Sequence, residues 1–205
     1  PSNTAINDIK CGKNFAVYRN ANEDLYLWGD NSYGQVTGNS TDTCGNVLLP
    51  NRLLTRSNQD IKVNNSNNYA CGDDFLIYKD NNDISINEWA NWKGIGNNDS
   101  SCILQASNTN RSLISIEPHQ GSLWLESGFQ ITKVVCGANH VIVIYDDNKK
   151  IAGWGDNTFG QLGILGENNK IINDITNIPI PSPYNDTNDT IKDVACGNNF
   201  TIVLT

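Results

Sequence analysis

The chain has no methionine, two histidines and only 14 lysines and arginines in 205 residues. Each scarcity narrows the function. Two imidazoles leave little scope for histidine-based general acid and base chemistry. The basic residues are outnumbered by 22 carboxylates, for a formal net charge of -8. No Lys/Arg cluster offsets that balance, so a nucleic acid or an anionic membrane surface would meet an unfavourable potential. The longest apolar runs, such as Val141 to Tyr145, fall far short of the ~20 residues that a membrane-spanning helix needs. A start at Pro1 without any methionine reads as a processed or cropped chain, whose terminus carries no readable targeting signal.

What is abundant is asparagine: 33 residues, about one in six, interleaved with Asp, Ser and Thr. These side chains bond to nearby backbone and tolerate left-handed conformations, so they favour turns. Hydrophobic residues make up 38%, enough for a packed core. Together these predict an all-β protein with many turns.

A repeat organises the chain. Cys11-Gly12-Lys13-Asn14-Phe15, Cys71-Gly72-Asp73-Asp74-Phe75, Cys136-Gly137-Ala138-Asn139-His140 and Cys196-Gly197-Asn198-Asn199-Phe200 share one pattern. Each precedes a short apolar stretch with β-strand composition, such as Leu76-Ile77-Tyr78 or Val141 to Ile144. After the first three come polar turns at Asn20 to Asp24, Asp80 to Asp83 and Asp146 to Lys149, then a second strand ending in Trp28, Trp89 or Trp154, which predicts a hairpin. Trp28-Gly29-Asp30-Asn31-Ser32-Tyr33-Gly34-Gln35 closely matches Trp154-Gly155-Asp156-Asn157-Thr158-Phe159-Gly160-Gln161. The middle copy, after Trp89, reads as degenerate and lacks the Gln.

These Cys-Gly-x-x-His/Phe starts and Trp-Gly-x-Asn-x-x-Gly-Gln turns resemble regulator of chromosome condensation repeats. The resemblance implies an all-β, partial β-propeller of four-stranded antiparallel blades around a central channel. The expected repeats run approximately 11–70, 71–135 and 136–195, with a single first strand of a fourth at 196–205. The excess length falls at 37–60, 97–130 and 164–190, and insertions at equivalent points of stacked repeats emerge on one face. About three blades cannot close a ring, since propellers take 4 to 8. Two open faces would then expose apolar surface, to be covered by further chain or by a neighbouring subunit.

Four cysteines, Cys11, Cys71, Cys136 and Cys196, hold the repeat position and are expected to be structural thiols. Cys44 and Cys102 lie at similar distances beyond Cys11 and Cys71, so they are either a cross-blade disulfide or two unrelated loop thiols. No short Cys/His spacing implies a metal. His140 stands where other copies have Phe15, Phe75 and Phe200, which predicts packing against its blade in place of catalysis. His119 reads as a loop residue. Asp30-Asn31 and Asp156-Asn157 lack a calcium-loop pattern and read as turn caps. Gly29, Gly34, Gly155 and Gly160 read as turn geometry, because no helix with a lysine follows.

Sequons occur at Asn39, Asn64, Asn98, Asn110, Asn185, Asn188 and Asn199; all but the last, which falls in an expected strand, are candidate glycan acceptors if the protein is secreted. An extracellular setting is favoured over a cytoplasmic one. The expected function is a non-enzymatic protein-interaction propeller presenting long Asn-rich loops, without a cofactor. The alternatives are a secreted structural subunit assembling edge to edge with copies of itself into a ring or filament, or a nucleotide exchange factor for a small GTPase. Nucleic-acid binding and membrane insertion are not expected.

Overall fold

The computed structural model describes residues 4–38, 45–55, 59–82, 91–103, 114–115, 130–164, 166, 170–180 and 190–205. Among these there is no α-helix. Three antiparallel four-stranded sheets and one hairpin follow one another along the chain. Blade 1 is built from β1 (Ile6–Cys11), β2 (Phe15–Asn20), β3 (Leu25–Asp30) and β4 (Asn46–Arg52). Blade 2 comprises β5 (Tyr69–Cys71), β6 (Phe75–Lys79), β7 (Trp92–Gly96) and β8 (Ile114–Ser115). Blade 3 comprises β9 (Ile131–Cys136), β10 (His140–Tyr145), β11 (Lys150–Asp156) and β12 (Ile171–Asn177). The fourth unit is the pair β13 (Asp193–Cys196) and β14 (Thr201–Leu204).

This arrangement shifts the expected boundaries. Each repeat cysteine ends the first strand of its blade, so the first blade begins with the strand Ile6–Cys11, ahead of the expected start at 11, and the fourth unit is a hairpin and not a single strand. The first strands adjoin in series, β1 beside β5, β5 beside β9 and β9 beside β13.

Strand alternation gives each blade two apolar faces. Phe15, Val17, Leu25 and Leu27 of blade 1 meet Leu76, Tyr78 and Ile95 of blade 2 in one core cluster. Phe75 and Ile77 then meet Val141, Val143 and Trp154 of blade 3, and Ile142 and Ile144 meet Val194 and Val203 of the hairpin. Because β10 is covered on both faces, all six of its residues are buried, which explains its unbroken apolar sequence.

The Cys-Gly-x-x-ring segment fixes the spacing between blades. A Cβ on Gly12, Gly72, Gly137 or Gly197 would run into the ring three residues on, from Phe15, Phe75, His140 and Phe200 respectively. On Gly12 and Gly137 it would also lie 2.6 Å from the carbonyl oxygen of Gly72 or Gly197 in the next blade. The loops are then tied to one another, with Lys13 N donating to Asp73 O at 2.9 Å and Asp73 N to Ala138 O at 3.0 Å. On the same inner strands Lys10 Nζ donates to the carbonyls of Ser66 and Tyr69 and sits over the Tyr69 ring, while Tyr69 donates to Asp8 at 2.6 Å.

His140 packs as its repeat position predicts, fully buried, with Nε2 3.1 Å from Thr201 Oγ1 of the hairpin. Burial pushes its pKa from 6.5 down to about 4, against a smaller opposing pull from Asp156. The unfolded chain therefore takes up the proton first as pH falls, and stability is lost between pH 6.5 and 4.

Two outcomes follow. Gly72→Ala should destabilise the fold by about 1–3 kcal/mol, the cost of overpacking a tight core, as read by urea denaturation. Lowering the pH from 7 to 5 should remove about 2 kcal/mol of stability through His140, and His140→Phe should abolish that loss in denaturation curves at the two pH values.

Candidate interaction surface at the open blade faces

The turn after each third strand is built around one buried asparagine. Asn31 Oδ1 accepts from Val36 N at 3.0 Å, and Asn157 Oδ1 accepts from Leu162 N at 2.9 Å. Asn98 Oδ1 does the same for Ile103 N at 2.8 Å. The middle blade thus carries the motif after all, displaced from where spacing puts it. In the β6–β7 pairing Gly96 faces Phe75, as Gly29 faces Phe15 and Gly155 faces His140. Ile95, not Trp89, therefore holds the tryptophan position, and Trp89 lies outside the described residues. Ser101, at φ 56°, replaces Gly34 and Gly160, and Cys102 replaces Gln35 and Gln161.

That placement corrects two further expectations. Cys102 is a free thiol, 1% exposed, seated between blades 2 and 3 with burial pushing its pKa up, so it is not one half of a bridge. Its counterpart in blade 1 is Gln35 and not Cys44, which lies outside the described residues. Asn98 is 3% exposed with its amide oxygen engaged, so the folded chain offers no glycan acceptor there. Asn64 is exposed, while Asn39, Asn110, Asn185, Asn188 and His119 lie outside the described residues. Among the described residues no three His, Cys, Asp or Glu side chains converge in a way that could hold a metal ion.

Equivalent positions differ in exposure according to whether a blade adjoins them. Trp154 is buried against blade 2 and donates its indole N–H to Cys102 O at 2.8 Å, whereas Trp28 is half-buried beside Tyr18 and Tyr26, whose rings stack at 4.9 Å. Cys11 is exposed, while its equivalents Cys71 and Cys136 pack against the blade cores. At the other end, Phe200, Ile202 and Leu204 are 56–60% exposed, although His140, Ile142 and Ile144 in the same places on blade 3 are buried. The sequence motifs mark these residues as structural but do not reveal which of them are uncovered.

The loops at the Cys-Gly end form a separate, polar surface. Asp30, Asp73, Asp74, Asp99 and Asp156 lie in these loops and turns, with Lys13 and Lys170 as the basic residues there among those described. Burial, then the negative charge of Asp73 and Asp30, pushes the Asp74 carboxyl above its ordinary range.

Removing the buried Asn98 amide should strand the Ile103 N–H. Asn98→Ala is expected to cost about 1–3 kcal/mol, measured by urea denaturation; an unchanged midpoint would contradict the anchor role.

Two sequence families, both described as Regulator of chromosome condensation (RCC1) repeat, match the chain, one at residues 152–204 and the other at 6–35 and 131–161. A "Protein RCC2 homolog" of Danio rerio is 24% identical over 174 residues, 79% of this chain and 33% of that protein. An RCC1 domain-containing protein of Dictyostelium discoideum is 28% identical over 205 residues, 98% of this chain and 30% of that protein. The solved structure of Prp20p from Saccharomyces cerevisiae superposes with a TM-score of 0.69 at 18% identity, over 97% of this chain and 43% of that one. Human WBSCR16 gives a TM-score of 0.56 at 14% identity, over 98% and 58%. The chain thus spans about a third of the length of these curated relatives. Repeat matches, blade topology and fold agree: the chain belongs to the RCC1-repeat proteins and forms part of a β-propeller.

Proposed function

We propose that this part of the propeller is a non-catalytic scaffold that holds a basic protein partner at the Cys-Gly end. The observation that carries the reading is the combination of rigidity and charge there. The loops are tied blade to blade by backbone hydrogen bonds, and five aspartates lie in them and in the adjoining turns, Asp99 exposed, Asp30, Asp73, Asp74 and Asp156 partly buried, with Asp30 and Asp156 each also capping its own turn through Oδ1. A preorganised surface of one sign steers and aligns a partner of the other. The net charge of -8 supports a basic protein over a nucleic acid. The work on Prp20p names binding to Gsp1p and histones, which makes both a histone and a small GTPase reasonable probes.

Fluorescence anisotropy with labelled core histones should show saturable binding that weakens roughly 10-fold or more when salt rises from 50 to 200 mM, as exposed charge pairs are screened. Asp73→Asn with Asp156→Asn should weaken it further. A Gsp1p-type GTPase carrying fluorescent GDP should show no faster nucleotide release. Absence of binding to either protein would sink the scaffold reading, and accelerated GDP release would replace it with exchange activity.

A further inference from the structure

The three junctions between neighbouring units are not chemically alike. Phe15 and Leu76 share the core of the first, and Phe75 and Val141 that of the second. At the third, the same two places, the ring and the residue after the ring in the next unit, hold His140 and Thr201, 3.1 Å apart. A polar pair thus closes the seam between blade 3 and the β13–β14 hairpin where apolar pairs close the others.

The hydrogen bonds of that pair leave no place for a second proton on the ring. Thr201 Oγ1 donates to the Gln161 carbonyl at 2.8 Å, which uses its single proton, so toward His140 it can only accept. His140 is therefore the Nε2–H tautomer. Its Nδ1 is buried without a partner, 2.5 Å from where a Cβ on Gly137 would stand. Protonation would put an N–H there with no acceptor and a charge in a site closed to water, both of which are costly. Asp156, at the end of β11, is the charged group that bears on the ring, and its pull is smaller than the cost of burial. The other ionisable groups around the seam are thiols, Cys136 of β9, Cys196 of β13 and Cys102 of blade 2. Burial pushes all three above their ordinary range, so they stay neutral below pH 7.

We propose that this seam is a proton-operated latch: when His140 takes up a proton from solvent, the hairpin leaves blade 3 while blades 1 to 3 stay folded. The surfaces released are Ile142, Ile144 and Leu162 on blade 3 and Val194 and Val203 on the hairpin, which share one core while the seam is closed. Below pH 6.5 the open form takes up the proton first, and the closed form does so only near pH 4, so opening is favoured increasingly across that window. The other two junctions keep an apolar ring, Phe15 or Phe75, at any pH. The latch does not rest on the histone reading, so the two fail separately.

Native-state hydrogen exchange read by mass spectrometry, corrected for the intrinsic pH dependence of amide exchange, tests this in the 205-residue chain at pH 7 and pH 5. A detached two-stranded hairpin does not hold its amides, so those of β13 and β14 report the opening. Their opening constant should rise roughly 20-fold from pH 7 to pH 5, the ratio set by a pKa of 6.5 in the open form and about 4 in the closed one. The β6 amides should remain at least ~10-fold better protected at each pH, as expected when one unit opens below the global transition. His140→Phe with Thr201→Val, which recreates the Phe75–Val141 pair, should cut the change to less than ~2-fold. His140→Gln, which keeps a donor toward Thr201 and cannot titrate, should do the same. Hairpin protection that does not change with pH would overturn the proposal. So would equal protection of the hairpin and β6, because the seam would then open only when the whole chain unfolds. A pH response that survives in both variants would assign the proton to another group and overturn it as well.

Discussion

Stacking one blade on the next brings backbone against backbone at the inner loops, and that approach is closed to every residue with a Cβ. At Gly12 and Gly137 the space a side chain would need is taken twice, by the ring three residues on and by the carbonyl of the next blade's glycine. The ring is therefore as much part of the lock as the glycine, because it fills the volume that the missing side chain leaves and closes the loop over the blade core. From this contact follow the loop-to-loop hydrogen bonds of Lys13, Asp73 and Ala138, the alignment of the inner strands and the two-sided burial of β6 and β10. His140 shows how tolerant the lock is of chemistry and how strict of shape. A titratable ring takes the place of phenylalanine, at the cost of staying neutral far below its usual pKa.

The fold was legible because the lock is local: four residues in sequence carry it, so it recurs visibly wherever a blade occurs. The turn motif is legible only where its side chains happen to be the usual ones. In blade 2 the working parts are a buried asparagine and a residue at positive φ, and Asn98 with Ser101 supplies both without the glycine and glutamine that make the motif recognisable. Trp89 misleads because the β6–β7 connection is longer than in the other blades, so a fixed count from Cys71 lands inside it. Cys102 misleads in the opposite sense, as a cysteine whose position is that of a buried glutamine. Spacing counts covalent bonds, whereas hydrogen-bond register decides which residues are equivalent.

The blade count predicted two open faces, but the motifs alone do not say which residues lie on them, because exposure depends on what lies beside a blade and not on what the blade contains. Trp28 and Trp154 have near-identical surroundings in sequence and different ones in space. The same holds for Cys11 against Cys71, and for Ile202 against Ile142. In each pair the residue types are those of an interior, so the uncovered members have the composition of buried interfaces and not of a surface adapted to water.

This division separates two kinds of surface that would otherwise be pooled as sites. The blade faces are apolar, repeat in type from blade to blade and fit other blades, so they serve assembly of the propeller. The Cys-Gly end is polar, and its side chains vary from copy to copy, with Lys13, Asp73, Ala138 and Asn198 at one equivalent position. Variation there is free because the lock is made by glycine backbone and a ring, leaving the intervening two side chains uncommitted. A frame whose contacts are made by the backbone can change the charge of its rim without changing its shape, and the -8 balance of this chain is carried in part by that freedom. Recognition is therefore expected from the residues between the glycine and the ring, and stability from the glycine and the ring themselves.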